Sequence, residues 1–480
     1  MNRRMVLYVV GKVVMVEAGL MLLPLITALL YKEAVAVSIG ISVVVAIISG
    51  FLLTKISRPG LKTIYAKEGF VITALSWLAL SAVGALPFFI SGEIPSYIDA
   101  FFETVSGLTT TGASILTDVE KMSKGLLMWR SFTHWVGGMG VLVFMLAIIP
   151  SISDRSIHLL RAEVPGPVVG KLVPKIRQTS RILYIIYIAI TLIETVFLLF
   201  GGMNLFEALV HAFGTAGTGG FGIKATGIGE YSPYIQWVLT VFMLLFGVNF
   251  NLYYLILLKK IKAAFKSSEL WTYFAIVGVS AVIIAVNISG IYDSVSETVR
   301  HAAFQVASLT TTTGFATVDF NQWPNLSKSI LFILMFVGGC AGSTAGGFKI
   351  SRIMMVYKII KRELQRVLHP RSVNVCRLEG KILNDQTLSS VNSYLAIYVM
   401  FYFVFLFIIG FNGFDFDVTV SAVTSCFNNI GPAFGFAGPM GSYAEFSDIS
   451  KIVLSVAMLF GRLEIYPIIL TLSPSTWAKK

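Results

Sequence analysis

Residues 99–114 read DAFFETVSGLTTTGAS, and three later stretches align with them without a gap. The aligned stretches are EALVHAFGTAGTGGFG at 207–222, HAAFQVASLTTTTGFA at 301–316 and VTVSAVTSCFNNIGPA at 418–433. Each copy begins with residues able to form a short helix and brings a glycine to one shared position: Gly112, Gly220, Gly314 or Gly431. Such recurrence is typical of a protein built from structural repeats. Because similarity is strongest between the first and third copies and weakest in the fourth, we expect equivalent but not identical roles.

Long apolar segments flank each of these stretches. The chain is 56% hydrophobic and 13% charged, with a mean hydropathy of +0.80, which lies outside the balance of soluble proteins. Apolar runs of about 20 residues are long enough to cross a bilayer as helices. We place such segments near 5–30, 34–54, 68–91, 125–150, 182–202, 233–258, 270–290, 328–350, 392–412 and 450–472. Each glycine-rich stretch lies between two of them, so it enters and leaves the membrane by one face and is predicted to be a re-entrant loop.

This pattern predicts an all-α integral membrane protein. Its expected parts are an N-terminal helix pair and four parallel repeats of helix, re-entrant pore loop and helix around a single pore. The predicted divisions are the helix pair at 1–67 and the repeats at 68–178, 179–266, 267–388 and 389–480, the third of which includes an intramembrane gating loop.

The basic residues indicate how the chain is oriented in the lipid membrane. The formal net charge is +12, and most of the 37 lysines and arginines lie in short clusters at 3–12, 55–67, 155–181, 259–266, 349–381 and 479–480. These clusters share one side in the predicted topology, and the positive-inside bias makes that side cytoplasmic. We therefore expect a multi-pass protein of the cell inner (cytoplasmic) membrane, surrounded by membrane lipid, with both termini cytoplasmic. Short membrane-flanking loops lack the folded basic face that nucleic acid requires, so no nucleic acid partner is predicted.

The Gly/Thr composition of the four loops indicates a site for a dehydrated cation. Non-helical backbone at membrane depth survives where it lines a water-filled cavity, and a ring of carbonyl oxygens replaces the water shell of an ion. Glycine exposes its carbonyl without a side-chain clash, and each preceding helix directs its negative C-terminal end to the same place. The predicted ion-binding residues are Thr110, Thr111, Gly112, Thr218, Gly219, Gly220, Thr312, Thr313, Gly314, Asn429, Ile430 and Gly431. The alternative is that these glycines only pack helices, and four copies in register argue against it.

The four loops, with WRSFTHWVGGMG at 129–140, VGGCAGSTAGGFK at 337–349 and GRLEIYP at 461–467, make the chain resemble the Trk/Ktr/HKT superfamily of potassium transporters. The resemblance covers nearly the whole chain, and the helix pair before the first repeat makes it look like a Trk-type potassium-uptake membrane subunit. It implies a potassium filter at the loops, one pore per subunit, a homodimer, and regulation by a cytoplasmic nucleotide-binding ring. Some relatives that favour sodium have serine at the first filter glycine, so Gly112 points to potassium. Asn429 and Ile430 depart from the threonine pattern in the fourth loop.

The stretch from Gly338 to Gly347 interrupts a predicted membrane segment with five glycines, and such a composition breaks a helix. The resemblance implies an intramembrane loop that obstructs the pore below the filter and moves to open it. Arg462 lies within an apolar segment and is predicted to be functional, and Glu464 lies off its helix face, so each needs its own partner. The predicted gate residues are Gly338, Gly339, Gly342, Gly346, Gly347 and Arg462. The alternatives are a kinked packing segment for the loop and a structural buried ion pair for Arg462.

These features indicate that the protein takes up potassium ions, as a channel or a symporter, and is not an enzyme. The sequence shows no nucleophile and base pair at membrane depth, so no enzymatic activity is predicted. Residues 217–222, GTGGFG, match a dinucleotide fingerprint but follow no β-strand, so no nucleotide bound by this chain is predicted. Acidic residues are expected at the outer mouth, enriching cations or acting as ordinary solvated charges: Asp99, Asp293, Glu297, Asp415 and Asp417. The alternative function is a cation-coupled carrier of another solute, although such carriers typically have inverted repeats.

Overall fold

The computed structural model describes residues 1–59, 65–140, 176–371 and 375–478, and the regular secondary structure in this part of the chain is almost wholly helical. Its α-helices are α1 (Arg3–Leu20), α2 (Leu22–Leu30), α3 (Val35–Ile56), α4 (Ala66–Gly84), α5 (Leu86–Ser91), α6 (Tyr97–Leu108), α7 (Lys124–Gly138), α8 (Ile176–Phe200), α9 (Leu205–Gly217), α10 (Pro233–Phe246), α11 (Phe250–Leu257), α12 (Ile261–Phe265), α13 (Ser268–Asn287), α14 (Val295–Thr310), α15 (Asn325–Val337), α16 (Ile350–Leu368), α17 (Asp385–Ile409), α18 (Phe416–Asn428), α19 (Asp448–Arg462), α20 (Tyr466–Leu472) and α21 (Pro474–Trp477). Two strands of two residues each, β1 (Arg377–Leu378) and β2 (Lys381–Ile382), pair antiparallel between α16 and α17. The structure is therefore all-α apart from this small hairpin.

Six helical stretches in the described part of the chain are long and apolar enough to cross a membrane. They are Arg3–Leu30, Val35–Ile56, Lys67–Ser91, Ser180–Phe200, Ser268–Asn287 and Asp385–Asn412. The helices α10 and α11 together have the same character but bend by 90° at the break between them. The first two stretches are the predicted N-terminal pair, and each of the other four opens one repeat.

The N-terminal helices α1 and α3 cross at two glycines. A Cβ atom added to Gly11 would lie 2.9 Å from the carbonyl oxygen of Gly50, and one added to Gly50 would lie 2.8 Å from that of Gly11. Small residues permit this close backbone approach between membrane helices. Glu33, between α2 and α3, accepts hydrogen bonds from the amides of Lys124 and Gly125 at 2.8 and 2.9 Å. The helix pair is therefore tied to the start of α7 in the first repeat.

A short helix precedes the glycine-centred loop in every repeat, namely α6, α9, α14 and α18. Ser96, Asn204 and Ser294 cap the first three, each accepting a hydrogen bond from the amide three residues further on, at 3.3, 2.9 and 3.1 Å. An acidic residue lies in the first turn of all four helices. Caps and acidic residues stabilise helix N-termini. The C-terminal ends of the same helices, which carry partial negative charge, are followed directly by the loops.

The second helix is interrupted in the second, third and fourth repeats, and in the first repeat it ends close to the limit of the described residues. In the first and second repeats α7 ends at Gly138, and α10 is separated from α11 by residues 247–249. In the third and fourth repeats α15 ends at Val337, and α19 ends at Arg462 before α20 begins. The apolar segments expected at 233–258 and 450–472 are each divided into two helices, a break that the sequence predicts only for the third repeat, whereas most of 139–150 lies outside the described residues. The fourth break follows from backbone geometry, because Glu464 and Ile465 have φ values of +57° and +68°, which no α-helix accommodates.

Candidate functional site

The four pore loops, residues 110–112, 218–220, 312–314 and 429–431, share one backbone conformation. The first residue of each is left-handed, with φ of +57° at Thr110, +55° at Thr218, +57° at Thr312 and +57° at Asn429. The last is a glycine with positive φ, +81° at Gly112, +76° at Gly220, +84° at Gly314 and +104° at Gly431. Glycine adopts this region freely, whereas threonine does so rarely and at a cost. A left-handed non-glycine residue at the same place in all four repeats therefore indicates a conformation that the surrounding structure imposes.

The four loops form a closed ring of backbone contacts. A Cβ atom added to Gly112 would overlap the carbonyl oxygen of Gly219, which belongs to the second loop. The equivalent contacts join Gly220 to the carbonyl of Thr313, Gly314 to that of Ile430 and Gly431 to that of Thr111. Each carbonyl belongs to the residue immediately before the aligned glycine of the next repeat. The loops therefore surround one axis in the order in which they occur in the sequence, and the last closes on the first.

A cavity of about 120 Å³ lies against all four aligned glycines. Its walls continue with residues that follow the glycines, including Ser114, Phe221, Phe315 and Pro432. The side chains of the loops lie away from this cavity and are buried, and in the first and third repeats they are joined in hydroxyl pairs. Thr109 and Thr111 are 2.8 Å apart at Oγ1, as are Thr311 and Thr313. The structure thus brings all twelve sequence-predicted ion-binding residues together around one axis.

The fourth loop, which departs from the threonine pattern, cross-links the ring. The Asn429 Nδ2 atom donates hydrogen bonds to Thr111 Oγ1 at 3.0 Å and to the carbonyl of Met458 at 2.8 Å. These bonds connect the fourth loop to the first loop and to α19. An amide side chain supplies two donors where a threonine hydroxyl supplies one, which accounts for an asparagine at this position.

The glycine-rich loop, residues 338–347, lies directly against the third and fourth pore loops. The Gly346 amide donates to Thr312 Oγ1 at 2.6 Å, and the Gly347 amide donates to the carbonyl of Asn428 at 3.0 Å. A Cβ atom on Gly346 would lie 3.0 Å from the Asn429 Cβ, so a side chain there would displace the loop. The glycine-rich loop contacts the beginnings of the pore loops, whereas the cavity contacts their ends, so the two lie on opposite sides of the ring.

A carboxylate that sequence reasoning missed anchors the glycine-rich loop from outside. Glu269 Oε1, at the start of α13, accepts from the amides of Ala341 and Ser351 at 2.8 and 3.2 Å. Residues 247–249, between α10 and α11 in the second repeat, provide a second anchor, since the Cys340 amide donates a hydrogen bond to the carbonyl of Gly247 at 3.0 Å. An acidic residue beside a predicted apolar segment is the sequence signal that identifies Glu269.

Arg462 and Glu464 have separate partners. Arg462 Nη1 donates to the carbonyl of Thr344 in the glycine-rich loop at 2.9 Å, and its Nη2 atom donates to carbonyls at the end of α7. Glu464 pairs with Arg352 on α16 at 2.5 Å, and the Arg352 guanidinium lies 4.1 Å from the centre of the Tyr394 ring. Arg462 therefore connects three repeats through backbone carbonyls, while Glu464 holds the helix that follows the glycine-rich loop.

The predicted acidic residues of the outer mouth are partly neutralised. Asp99 pairs with Lys451 at 2.6 Å, and Glu297 lies 3.9 Å from Arg300. Sequence reasoning also missed Glu103, whose buried carboxylate pairs with Arg130 at 2.6 Å behind the first pore loop. The sequence signal for this pair is a charged residue beyond the first turn of each of two largely apolar helices.

Comparison with known proteins identifies the family. A family model described as TrkH, cation transport protein, matches residues 36–479. The chain belongs to the TrkH family. It is 34% identical over 485 residues to the Trk system potassium uptake protein TrkH of Salmonella typhimurium, covering 99% of this chain and 100% of that protein. It is 33% identical over 486 residues to the TrkH protein of Halomonas elongata, covering 100% of both chains.

Structural comparison agrees with this assignment. The crystal structure of the potassium transporter TrkH from Vibrio parahaemolyticus matches with a TM-score of 0.90 and 31% identity, covering 100% of both chains. The sequence-based assignment to the superfamily and the predicted all-α membrane fold class are therefore confirmed. TrkH-family proteins are ion transporters rather than enzymes, and this chain is a membrane protein of that kind.

Proposed function

We propose that this chain takes up potassium ions across the cytoplasmic membrane through the ring of four pore loops. The closed cycle of contacts between each aligned glycine and the carbonyl of the next loop carries the proposal. Such a cycle gives one central site surrounded by backbone oxygens, which is what a dehydrated cation requires. The relatives from Salmonella typhimurium and Halomonas elongata are named as potassium uptake proteins, which supports potassium as the transported ion.

The proposed ion-binding residues are the twelve residues of the pore loops. Alternating left-handed residues turn successive carbonyls toward the axis, and the aligned glycines leave no side chain in the way. Four helix C-terminal ends surround the same point, and their partial negative charge favours a cation over an anion. Asn429 and Ile430 take part through their backbone, because the Asn429 amide is engaged with Thr111 and Met458.

We propose the glycine-rich loop as the gate of this pathway. Its position against Thr312 and Asn428, on the side of the ring opposite the cavity, supports an obstruction of the ion path. The glycines at 338, 339, 342, 346 and 347 provide the backbone freedom that a movement of this loop needs. Arg462 bonds the loop to the end of α7 and is the proposed stabiliser of the closed state.

The chain is further proposed to work as a homodimer in the cell inner membrane, with both termini cytoplasmic. We also propose that a cytoplasmic nucleotide-binding subunit regulates the gate. The superfamily resemblance and the clustering of basic residues on one side support these points. The proposed units are the helix pair at 1–67 and the repeats at 68–178, 179–266, 267–388 and 389–480.

An ion-flux assay tests the proposed function. Purified protein in liposomes is given potassium, rubidium or sodium, with a pH gradient imposed separately and protein-free liposomes as the control. We expect potassium and rubidium to enter faster than sodium. Equal rates for all three ions would refute a potassium filter. Ion flux that requires a second solute would support the cation-coupled carrier instead, and the pH gradient separates a channel from a proton symporter.

A further inference from the structure

We propose that Glu103 and Arg130 form a brace that sets the spacing between the first and second pore loops, and thereby the ion preference of the ring. Glu103 lies on α6 and Arg130 on α7, so both belong to the first repeat. Glu103 does not line the cavity at the aligned glycines, whereas Arg130 lies in its wall, and the brace acts by positioning the backbone of the loops. The inference rests on the proposed function, because it takes the pore loops to select the ion.

The carboxylate end of the brace holds the chain that leaves the first pore loop. Glu103 Oε1 accepts from Ser114 Oγ at 2.9 Å and from Arg130 Nε at 2.6 Å, while Oε2 accepts from the Ile115 amide at 2.9 Å. The Glu103 and Arg130 side chains are 0% and 5% exposed. A buried charge is costly unless it is paired and fully hydrogen bonded, and this carboxylate meets both conditions. It therefore fixes the backbone two and three residues beyond Gly112.

The guanidinium end of the brace holds the chain that leaves the second pore loop. Arg130 Nη1 donates to the carbonyl of Gly222 at 3.0 Å, and the guanidinium carbon lies 3.5 Å from the centre of the Phe221 ring. One turn further along α7, His134 packs on the same Phe221 ring with centroids 4.1 Å apart. A Cβ atom on Gly219 would overlap the His134 imidazole, so α7 also contacts the second loop itself.

The brace thus spans the contact between Gly112 and the carbonyl of Gly219. One end holds Ser114 and Ile115, shortly after Gly112, and the other holds Phe221 and Gly222, directly after Gly220. The planar guanidinium of Arg130 joins the two ends. Uncharged groups connect the other three junctions of the ring: the Ile228 amide to the Ala316 carbonyl at 2.8 Å, the Asn321 side chain to the Gly435 carbonyl at 3.2 Å, and the Tyr443 amide to the Ser114 carbonyl at 2.8 Å. The distance between the first two loops therefore depends on a buried ion pair.

Three variants test the brace in the liposome flux assay. Glu103→Gln removes the charge, Arg130→Lys keeps the charge but removes the planar fork, and Ser114→Ala removes one hydrogen bond to the carboxylate. We expect the potassium-over-sodium flux ratio to fall by about tenfold in the first two, the loss expected from hydrogen bonds to a charged group. Ser114→Ala should produce a smaller fall. The matched control is Asp118→Asn, which removes the same charge from an exposed pair with Lys121 of 2.9 Å.

The readout separates positioning from mere stabilisation. If the brace only stabilises the fold, the substitutions would lower the amount or the melting temperature of the protein but leave the potassium-over-sodium flux ratio of the folded molecules unchanged. That result would overturn the inference. If Glu103→Gln does not fold, Arg130→Lys and Ser114→Ala decide the question by the same ratio. A wild-type protein without any preference for potassium would refute the proposed function, whereas a selective wild type with equally selective variants would refute the brace alone.

Discussion

Arg462 Nη1 donates a hydrogen bond of 2.9 Å to the carbonyl oxygen of Thr344, which lies 118 residues earlier in the chain. The Nη2 atom donates to the carbonyls of Gly137 and Gly138 at 2.5 and 2.6 Å, in the last turn of α7. A cation is favourable at a helix C-terminus, so the arginine has a stable site there that does not depend on the glycine-rich loop. The bond to Thr344 therefore holds the loop against a fixed point of the first repeat.

We expect Arg462→Gln to raise ion flux in the absence of any regulatory subunit. Loss of the charged donor weakens the hold on Thr344, and the rise should be about tenfold, as expected for a hydrogen bond to a charged group. Arg462→Lys keeps the charge but lacks the planar fork, so its rise should be smaller. Potassium flux into liposomes measures both variants. Unchanged or lower flux in folded Arg462→Gln protein would contradict a role in closing the path.

Thr312→Ala should also raise basal flux, because the Thr312 hydroxyl accepts the hydrogen bond from the Gly346 amide at 2.6 Å. Thr110 is the equivalent residue of the first repeat, and its buried hydroxyl has no hydrogen-bond partner among the residues that the structure describes. Thr110→Ala is therefore the matched comparison at the same backbone position, and it should not raise flux. Equal effects of the two substitutions would show that the bond to the glycine-rich loop does not restrain it.

Gly112→Ser should lower the potassium-over-sodium flux ratio by roughly tenfold, since overpacking costs about 1–3 kcal/mol. The added Cβ atom would overlap the carbonyl oxygen of Gly219 and force the two loops apart. Gly92→Ser is the control, because Gly92 has a similar φ of +78° but nothing within 4 Å of an added Cβ atom. Flux ratios in liposomes compare the variants. If both retain the wild-type ratio, the first loop does not select the ion.

Gly11→Val should destabilise the N-terminal helix pair by about 1–3 kcal/mol, the usual cost of overpacking. A Cβ atom there would lie 2.8 Å from the Leu53 Cβ and 2.9 Å from the carbonyl of Gly50. Gly19→Val, on the same helix, changes helix propensity equally but has nothing within 4 Å. Thermal unfolding in detergent measures the difference. Equal melting temperatures for the two variants would mean that α1 and α3 do not depend on this close contact.

Local backbone requirements made the pore loops predictable. Positive φ values at Gly112, Gly220, Gly314 and Gly431, together with the close carbonyl of the neighbouring loop, favour glycine in each copy, so the shared position is visible when the copies are aligned. The interruptions of α10 and α19 were harder to predict. Asn249 caps α11 by accepting a hydrogen bond from the Asn251 amide at 2.9 Å, but Gly247 and two asparagines within an apolar run are a weak signal for a break of 90°.

Hydropathy, chain length and glycine geometry act locally, and they were sufficient to predict the membrane class, the four repeats and the residues of the ring. The order of the loops around the axis, and the groups that Arg462, Glu269 and Glu103 bind, depend instead on long-range packing. Hydrogen-bond partners separated by 118 residues in the chain, as Arg462 and Thr344 are, have no local signature. A buried charge makes some partner necessary, but the packing of distant helices selects the particular carbonyl or carboxylate.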